Sequence, residues 1–205
     1  MMLLPGQPFP HPFPPGCMFL VDKPLHWTSF DVVNRTRYPL SKKLGIKKIK
    51  IGHAGTLDPL ATGLLVLCYG TFTKKIEEFQ AETKEYTGTI RLGATTPSFD
   101  LESEIDQTYP TEHLTEAVLD AARSHFFGEI MQRPPIFSAI KVDGKRAYES
   151  ARSGQELDLP PRPVRIDAFE LTRIELPEVD FRVVCGKGTY LRSLARDFGE
   201  AVGSG

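Results

Sequence analysis

Short apolar runs of strand length recur along this chain, without the regular strand–helix alternation that a parallel sheet needs. Met18-Phe19-Leu20-Val21 is one such run, and residues 164–171 and 179–185 are two more. Residues 85–92 alternate, with Tyr86, Gly88, Ile90 and Leu92 on one face and Thr87, Thr89 and Arg91 on the other. Residues 138–142 lead into Asp143-Gly144, a strand entering a tight turn. Periodic helical signals lie in four other stretches. Thr28 and Ser29 can cap the first, which carries Phe30, Val32 and Val33 on one side. The second spans residues 111–127, with Leu114, Val118, Ala121, Ala122 and Phe126 on its apolar face and Gly128 as its stop. A short third covers 147–152 and stops at Gly154. The fourth follows the turn Gly186-Lys187-Gly188-Thr189 and runs over 190–201, with Leu191, Leu194, Ala195 and Phe198 facing a core. This mixture predicts an α+β fold with a mainly antiparallel sheet.

At 205 residues, 40% of them hydrophobic, the chain has apolar material for one folded domain. It has no run of about 18 apolar residues that would span a bilayer. Its first residues lack the charged and apolar regions of a secretory signal. Cys17, Cys68 and Cys185 are odd in number and far apart, which argues against a disulfide framework or a structural zinc and for a cytoplasmic setting. Pro5, Pro8, Pro10, Pro12, Pro14 and Pro15 mark residues 1–16 as an extended proline-rich arm, because proline cannot donate to a helix or sheet ladder. Phe9 and Phe13 are its candidate anchors, and the folded domain is expected over residues 17–205.

The formal net charge is −1, so any attraction to nucleic acid must be local. Between Val32 and Leu57 lie Arg35, Arg37, Lys42, Lys43, Lys47, Lys48 and Lys50, with no acidic residue. Between Arg91 and Arg123 lie Asp100, Glu102, Glu104, Asp106, Glu112, Glu116 and Asp120, with no Lys or Arg. A polyanion would favour the first segment and avoid the second; two solvated faces are the alternative reading.

Three segments could carry chemistry. In Gly52-His53-Ala54-Gly55-Thr56-Leu57-Asp58-Pro59, two glycines bracket a histidine and an aspartate precedes a proline. Asp58-Pro59 has the form of a helix start, which alone explains both residues. A helix N-terminus and nearby cations would also keep Asp58 ionised, which suits a nucleophile better than a general acid. His53 has no partner at metal-ligand spacing, and the glycines match neither phosphate-binding nor dinucleotide patterns. In the second segment, 186–192, Thr189 can cap the last helix, which places Arg192 in the first turn against the macrodipole. A nearby carboxylate would resolve that conflict, and Asp58 is a candidate. In the third, Gly88 beside Tyr86 would leave an open shelf on which a planar base could stack; a core tyrosine is the plainer reading.

Five stretches together resemble the TruB family, the tRNA pseudouridine-55 synthases with dyskerin relatives. They are residues 21–29 (VDKPLHWTS), 52–65 (GHAGTLDPLATGLL), 84–93 (KEYTGTIRLG), 133–152 (RPPIFSAIKVDGKRAYESAR) and 186–194 (GKGTYLRSL). The resemblance implies the pseudouridine-synthase fold, a mainly antiparallel mixed sheet flanked by helices and loops. It implies an isomerase that converts uridine 55 in the T-arm of tRNA to pseudouridine, with Asp58 as catalytic residue. By the same resemblance His53 helps hold the flipped nucleotide, Tyr86 stacks on the uracil, Tyr190 lines the pocket and Arg192 pairs with Asp58. Lys23 lies in the stretch that braces the catalytic loop. No metal, cofactor or second protein is implied: the expected partner is tRNA and the expected state a cytoplasmic monomer. The acidic stretch 100–120 falls where the family varies and is assigned no RNA contact. Family members continue past the position of Gly205, so the resemblance implies a catalytic domain shortened at its C-terminus, without a C-terminal RNA-binding domain. On that basis an RNA-binding or RNA-chaperone module with impaired catalysis is the alternative function. A glycoside-type hydrolase ranks behind both, since no second carboxylate is fixed near Asp58.

Overall fold

Thr28 starts the first helix with a reciprocal cap in this computed structural model, which describes residues 2–3, 12–138, 140–142, 145–147 and 158–205. The Asp31 N–H donates to Thr28 Oγ1 at 3.1 Å, and the Thr28 N–H donates to Asp31 Oδ2 at 2.9 Å. Together they satisfy two of the donors a helix start leaves open. Helix α1, Ser29–Leu44, closes at Gly45, whose φ of 66° is one that glycine adopts without strain. It buries Ser29, Val32, Val33 and Leu40. Phe30, expected beside the valines, is 58% exposed, because it lies about 100° round the helix from buried Ser29.

The chain divides into two compact units, Met1–Glu82 and Thr83–Gly205. In the first, β1 (Met2–Leu3), β2 (Gly16–Lys23), β3 (Ile51–His53) and β4 (Gly63–Gly70) form a sheet of order β1-β2-β4-β3. β2 and β4 run antiparallel from Gly16↔Gly70 to Lys23↔Gly63, and β3 pairs with β4 through His53↔Leu67. α1 packs over a core of Cys17, Val32, Val33, Leu40, Ile51, Leu65, Leu67 and Tyr69. Helix α2, Ile76–Ala81, ends the unit. Of the two candidate anchors in the arm, Phe13 packs edge-on against Tyr69, ring centroids 5.5 Å apart. Phe9, with residues 1 and 4–11, lies outside the described residues.

In the second unit, β5 (Lys84–Arg91), β8 (Gly128–Gln132), β11 (Arg162–Glu175) and β12 (Glu178–Cys185) make an antiparallel sheet of order β5-β12-β11-β8. Between β5 and β8 come a two-residue ladder of β6 (Ala94–Thr95) with β7 (Gln107–Thr108), then helix α3, Glu116–Arg123. Strands β9 (Lys141–Val142) and β10 (Lys145–Arg146) pair antiparallel, which agrees with the expected hairpin; Asp143, Gly144 and the expected helix end at 148–154 lie outside the described residues. Helix α4, Leu191–Ala201, lays Leu194 and Phe198 on the core, with Leu191 and Ala195 packed against it. Phe126, Phe169, Phe181 and Phe198 meet there edge to face. The fold is thus α+β, as the sequence predicts.

The second helix differs from its expected span. Thr115 accepts from the Val118 N–H and α3 starts at Glu116, five residues late, and ends at Arg123 instead of at Phe127. Leu119 and Ala122 face the core, while Val118 and Ala121 are exposed. Gly128 begins β8 with a φ of 77°. Leu114, Ala122 and Phe126 are buried as expected, and Leu119 takes the core place expected of Val118.

Candidate active site

Asp58 stands on the connection from β3 to β4, in the first unit. No helix starts there. The Ala61 N–H donates to the Asp58 carbonyl at 3.0 Å in a turn, and Gly63 then begins β4. The long β2–β4 ladder takes up the residues that an Asp-Pro helix would need, so the macrodipole plays no part at Asp58.

Its loop is held from both sides. Before it, the Leu57 N–H donates to Ser29 Oγ at 2.9 Å and the Ser29 hydroxyl lies 3.1 Å from the Leu57 carbonyl. After it, the Pro59 carbonyl accepts from the His26 N–H at 2.8 Å and from Lys23 Nζ at 3.4 Å. Lys23 is fully buried; its ammonium also donates to the carbonyls of Pro24 and Trp27 at 3.0 and 2.6 Å. Three acceptors replace the water that burial removes. Burial draws the Lys23 pKa down, and the nearby charges of Asp58 and Asp31 oppose that shift. Lys23 therefore acts as a brace beneath the loop, as its motif implies. Ser29 and His26 share that work, and the sequence marks Ser29 only as a helix-start residue.

His53 ends β3, and its Nδ1–H donates to the Gly55 carbonyl. Gly55 has a φ of 139°, which turns the chain back under the ring. The Ala54 N–H donates to the Val66 carbonyl at 2.8 Å, anchoring the start of the loop on β4.

The other three candidate residues belong to the second unit. Tyr86 lies on β5 opposite Val183 and packs partly buried against the core. The shelf expected beside it is absent: the Phe181 ring fills the space above Gly88, 3.0 Å from where a Cβ would stand. Tyr190, not Thr189, is the N-cap residue of α4, so the helix begins one residue later than expected. Thr189 instead donates its hydroxyl to the Gly186 carbonyl at 3.1 Å and tightens the turn. Gln132 takes over the capping work. Its Oε1 accepts from the Tyr190 N–H at 2.8 Å and its Nε2 donates to the Tyr190 carbonyl at 3.1 Å. Gln132 is 1% exposed, so both amide groups are committed in a dry setting.

Arg192 lies in the first turn of α4, where a cation opposes the dipole. The carboxylate that relieves it inside its own unit is Asp100, with Nε and Oδ2 3.6 Å apart. Nη1 donates to the Ser98 carbonyl at 3.0 Å and Nη2 to the Phe137 carbonyl at 2.9 Å. Asp100 is itself held: Oδ1 accepts from the Ser98 hydroxyl at 2.6 Å and from the Glu102 N–H at 3.0 Å. Phe99, with a φ of 59°, makes the sharp bend before it and lies under the Arg196 guanidinium at 4.8 Å. One member of the acidic stretch is thus part of the candidate site.

Residues 41–191 match the model of the TruB family pseudouridylate synthase N-terminal domain. The chain belongs to the TruB family. It is 60% identical over 96% of its length to tRNA pseudouridine synthase B of Flavobacterium johnsoniae, of which it covers 86%. To the protein of the same name from Phocaeicola vulgatus it is 60% identical over 94%, covering 82% of that relative. Among solved structures it resembles a chain of a Cbf5-Nop10-Gar1 complex, with a TM-score of 0.66 and 28% identity over 98% of this chain. It spans half the length of that chain. A chain of an H/ACA RNP bound to a substrate RNA containing 2′-deoxyuridine gives a TM-score of 0.61 at 26% identity. For a TruB-family chain, the candidate residues divide between the units: His53 and Asp58 in the first, Tyr86, Tyr190 and Arg192 in the second. Sequence reasoning missed Gln132 and Asp100. Asp100 was one carboxylate among seven in its segment, and Gln132 carries no local signal because its partner is 58 residues away.

Proposed function

We propose that this chain is a tRNA pseudouridine synthase that isomerises uridine 55 of the T-arm, with Asp58 as its catalytic carboxylate. The names of its relatives at 60% identity support the reading, and the braced Asp58 loop carries it. The reaction breaks the N1–C1′ bond, turns the uracil and joins C5 to C1′. A proton leaves C5 and one is gained at N1, so the reaction needs no oxidant or energy source. Asp58 acts on the ribose, as nucleophile or as base toward a glycal. Either role needs its oxygens fixed against a moving substrate, which is what pinning Leu57 and Pro59 provides.

In this reading Tyr86 stacks on the uracil, His53 helps hold the everted nucleotide and Tyr190 lines the pocket. Arg192, already set by Asp100 in its own unit, pairs with Asp58. Unstacking the target costs a few kcal/mol. The cations of α1 and the following loop offset that cost through phosphate contacts; Arg35, Lys42, Lys47, Lys48 and Lys50 make no ion pair among the described residues. Residues 17–205 form the catalytic domain, to whose first sheet Met2–Leu3 and Gly16 of the arm add, and the protein works as a cytoplasmic monomer. No helix among the described residues is long and apolar enough to cross a membrane.

A T-arm stem-loop labelled with tritium at uridine C5 tests the reading. Wild type releases the tritium to solvent. Asp58→Asn binds the RNA within a few-fold of wild type but releases tritium more slowly by at least about a thousand-fold. Binding by wild type without release would show an RNA-binding module instead.

A further inference from the structure

In the second unit an open pocket of about 260 Å³ lies beside Tyr190, where the ends of β8 and β11 meet the turn before α4. Gln132, Arg162, Val164, Lys187, Gly188 and Tyr190 are among its lining residues. Arg162 is the register partner of Gln132, so both side chains rise from the same face of the sheet. Lys187 and Gly188 belong to the turn, which is fastened to β11 by the Gly186 N–H donating to the Arg165 carbonyl at 2.9 Å. Gly188, at φ 89°, has no atom within 4 Å of where a Cβ would stand.

The charges of this pocket stand out against their surroundings. In the same unit Arg123, Arg133, Arg165, Arg173, Arg182, Arg192 and Arg196 each lie beside a carboxylate, while exposed Arg91 on β5 lies beside none among the described residues. Arg162 and Lys187, both exposed, have none among the described residues. Gln132, 1% exposed and bonded twice to Tyr190, is turned away from a ligand. The rest of the lining is largely proline, valine and a tyrosine ring. The polar recognition left is cationic: a guanidinium that can fork onto a phosphate and an ammonium that acts as a point charge.

Building on the proposed function, we infer that this pocket is a phosphodiester subsite for a nucleotide of the RNA next to the modified uridine. It has room on the scale of one nucleotide and holds it by charge and shape, without reading the base. Tyr190 lines this subsite and, in the proposed function, the uracil pocket as well, so seating the neighbouring nucleotide also helps place the everted one.

The test compares Arg162→Ser/Lys187→Ser with Lys74→Ser/Lys75→Ser, which removes the same charge elsewhere. Each full-length protein is titrated with a T-arm stem-loop across a salt series and assayed for pseudouridine. The pocket variant should raise KM about tenfold with a much smaller change in kcat, and flatten the log Kd against log salt slope by about 0.7–1 per lost phosphate contact. The control should leave both near wild type. Replacing the bases that flank the target should not alter the difference. The inference is overturned if slope and KM match wild type, if the control shifts them equally, or if kcat alone falls. Lys187→Ser, in an exposed turn, gives half the slope change should the double variant fold poorly. A wild type that binds without making pseudouridine would contradict the proposed function, while the slope comparison still decides the subsite.

Discussion

Ser29 shows how a single hydroxyl can serve two levels of structure. It lies in the first turn of α1 and is 3% exposed, and its Oγ engages both the N–H and the carbonyl of Leu57. Ser29→Ala would leave both backbone groups without that partner one residue before Asp58. The expected loss is about 1–3 kcal/mol, read as a fall of several degrees in the thermal midpoint. Because the loop also loses its hold, kcat should fall more than KM rises. An unchanged midpoint and kcat would show that the contact braces nothing. At this scale much of the site was legible. Asp58 and His53 stand out as candidates through their glycine and proline neighbours, and Lys23 only through the resemblance. Gln132 and Asp100 do not, since what defines them is a partner dozens of residues away.

Among the elements, the join between β8 and α4 matters most. Gln132, Ser193 and Arg196 stitch the two together: Ser193 Oγ donates to the Arg133 carbonyl at 2.8 Å, and Arg196 Nη2 donates to it at 3.3 Å. Gln132→Glu keeps the acceptor for the Tyr190 N–H but sets an oxygen against the Tyr190 carbonyl. Pseudouridine formation should slow about tenfold or more through kcat, with RNA affinity nearly kept. Gln132→Met, which removes both bonds at similar volume, should be slower still; equal rates for all three proteins would rule out a positioning role. The elements themselves were readable where the signal was local. The alternation of 85–92, observed as β5 over Lys84–Arg91, and the Thr28 cap both predicted what formed. The expected helix at Asp58-Pro59 failed because that signal is local, whereas the ladder from β2 to β4 is not. The expected shelf at Gly88 failed for the same reason: Phe181 arrives from the neighbouring strand.

For the whole molecule, surface carboxylates set the response to acid. Thr28 hydrogen bonds hold Asp31 below its usual 3.8, Arg173 and Thr89 do the same for Asp180, and Arg182 holds Glu85 below 4.5. A carboxylate with a depressed folded pKa lends stability above its unfolded value and loses it as pH falls through the folded one. Thermal stability should therefore drop as pH falls below about 4.5. Asp180→Asn should flatten that drop, and an unaltered pH profile would show that its partners do not couple to folding. Asp197 works in the opposite sense, since burial pushes its pKa up against the pull of Arg196. The segmental charge seen in the sequence also takes on structure: its basic half covers α1 and the loop to β3, and one acidic residue turns inward to Arg192.

In the proposed reaction a braced Asp58 rearranges a uridine without releasing it. Unmodified tRNA transcript, incubated with the purified chain and then treated with carbodiimide, is read by primer extension. Wild type should give one new stop, at uridine 55, and Asp58→Asn none. No stop at any T-arm uridine, or release of free uracil, would contradict it.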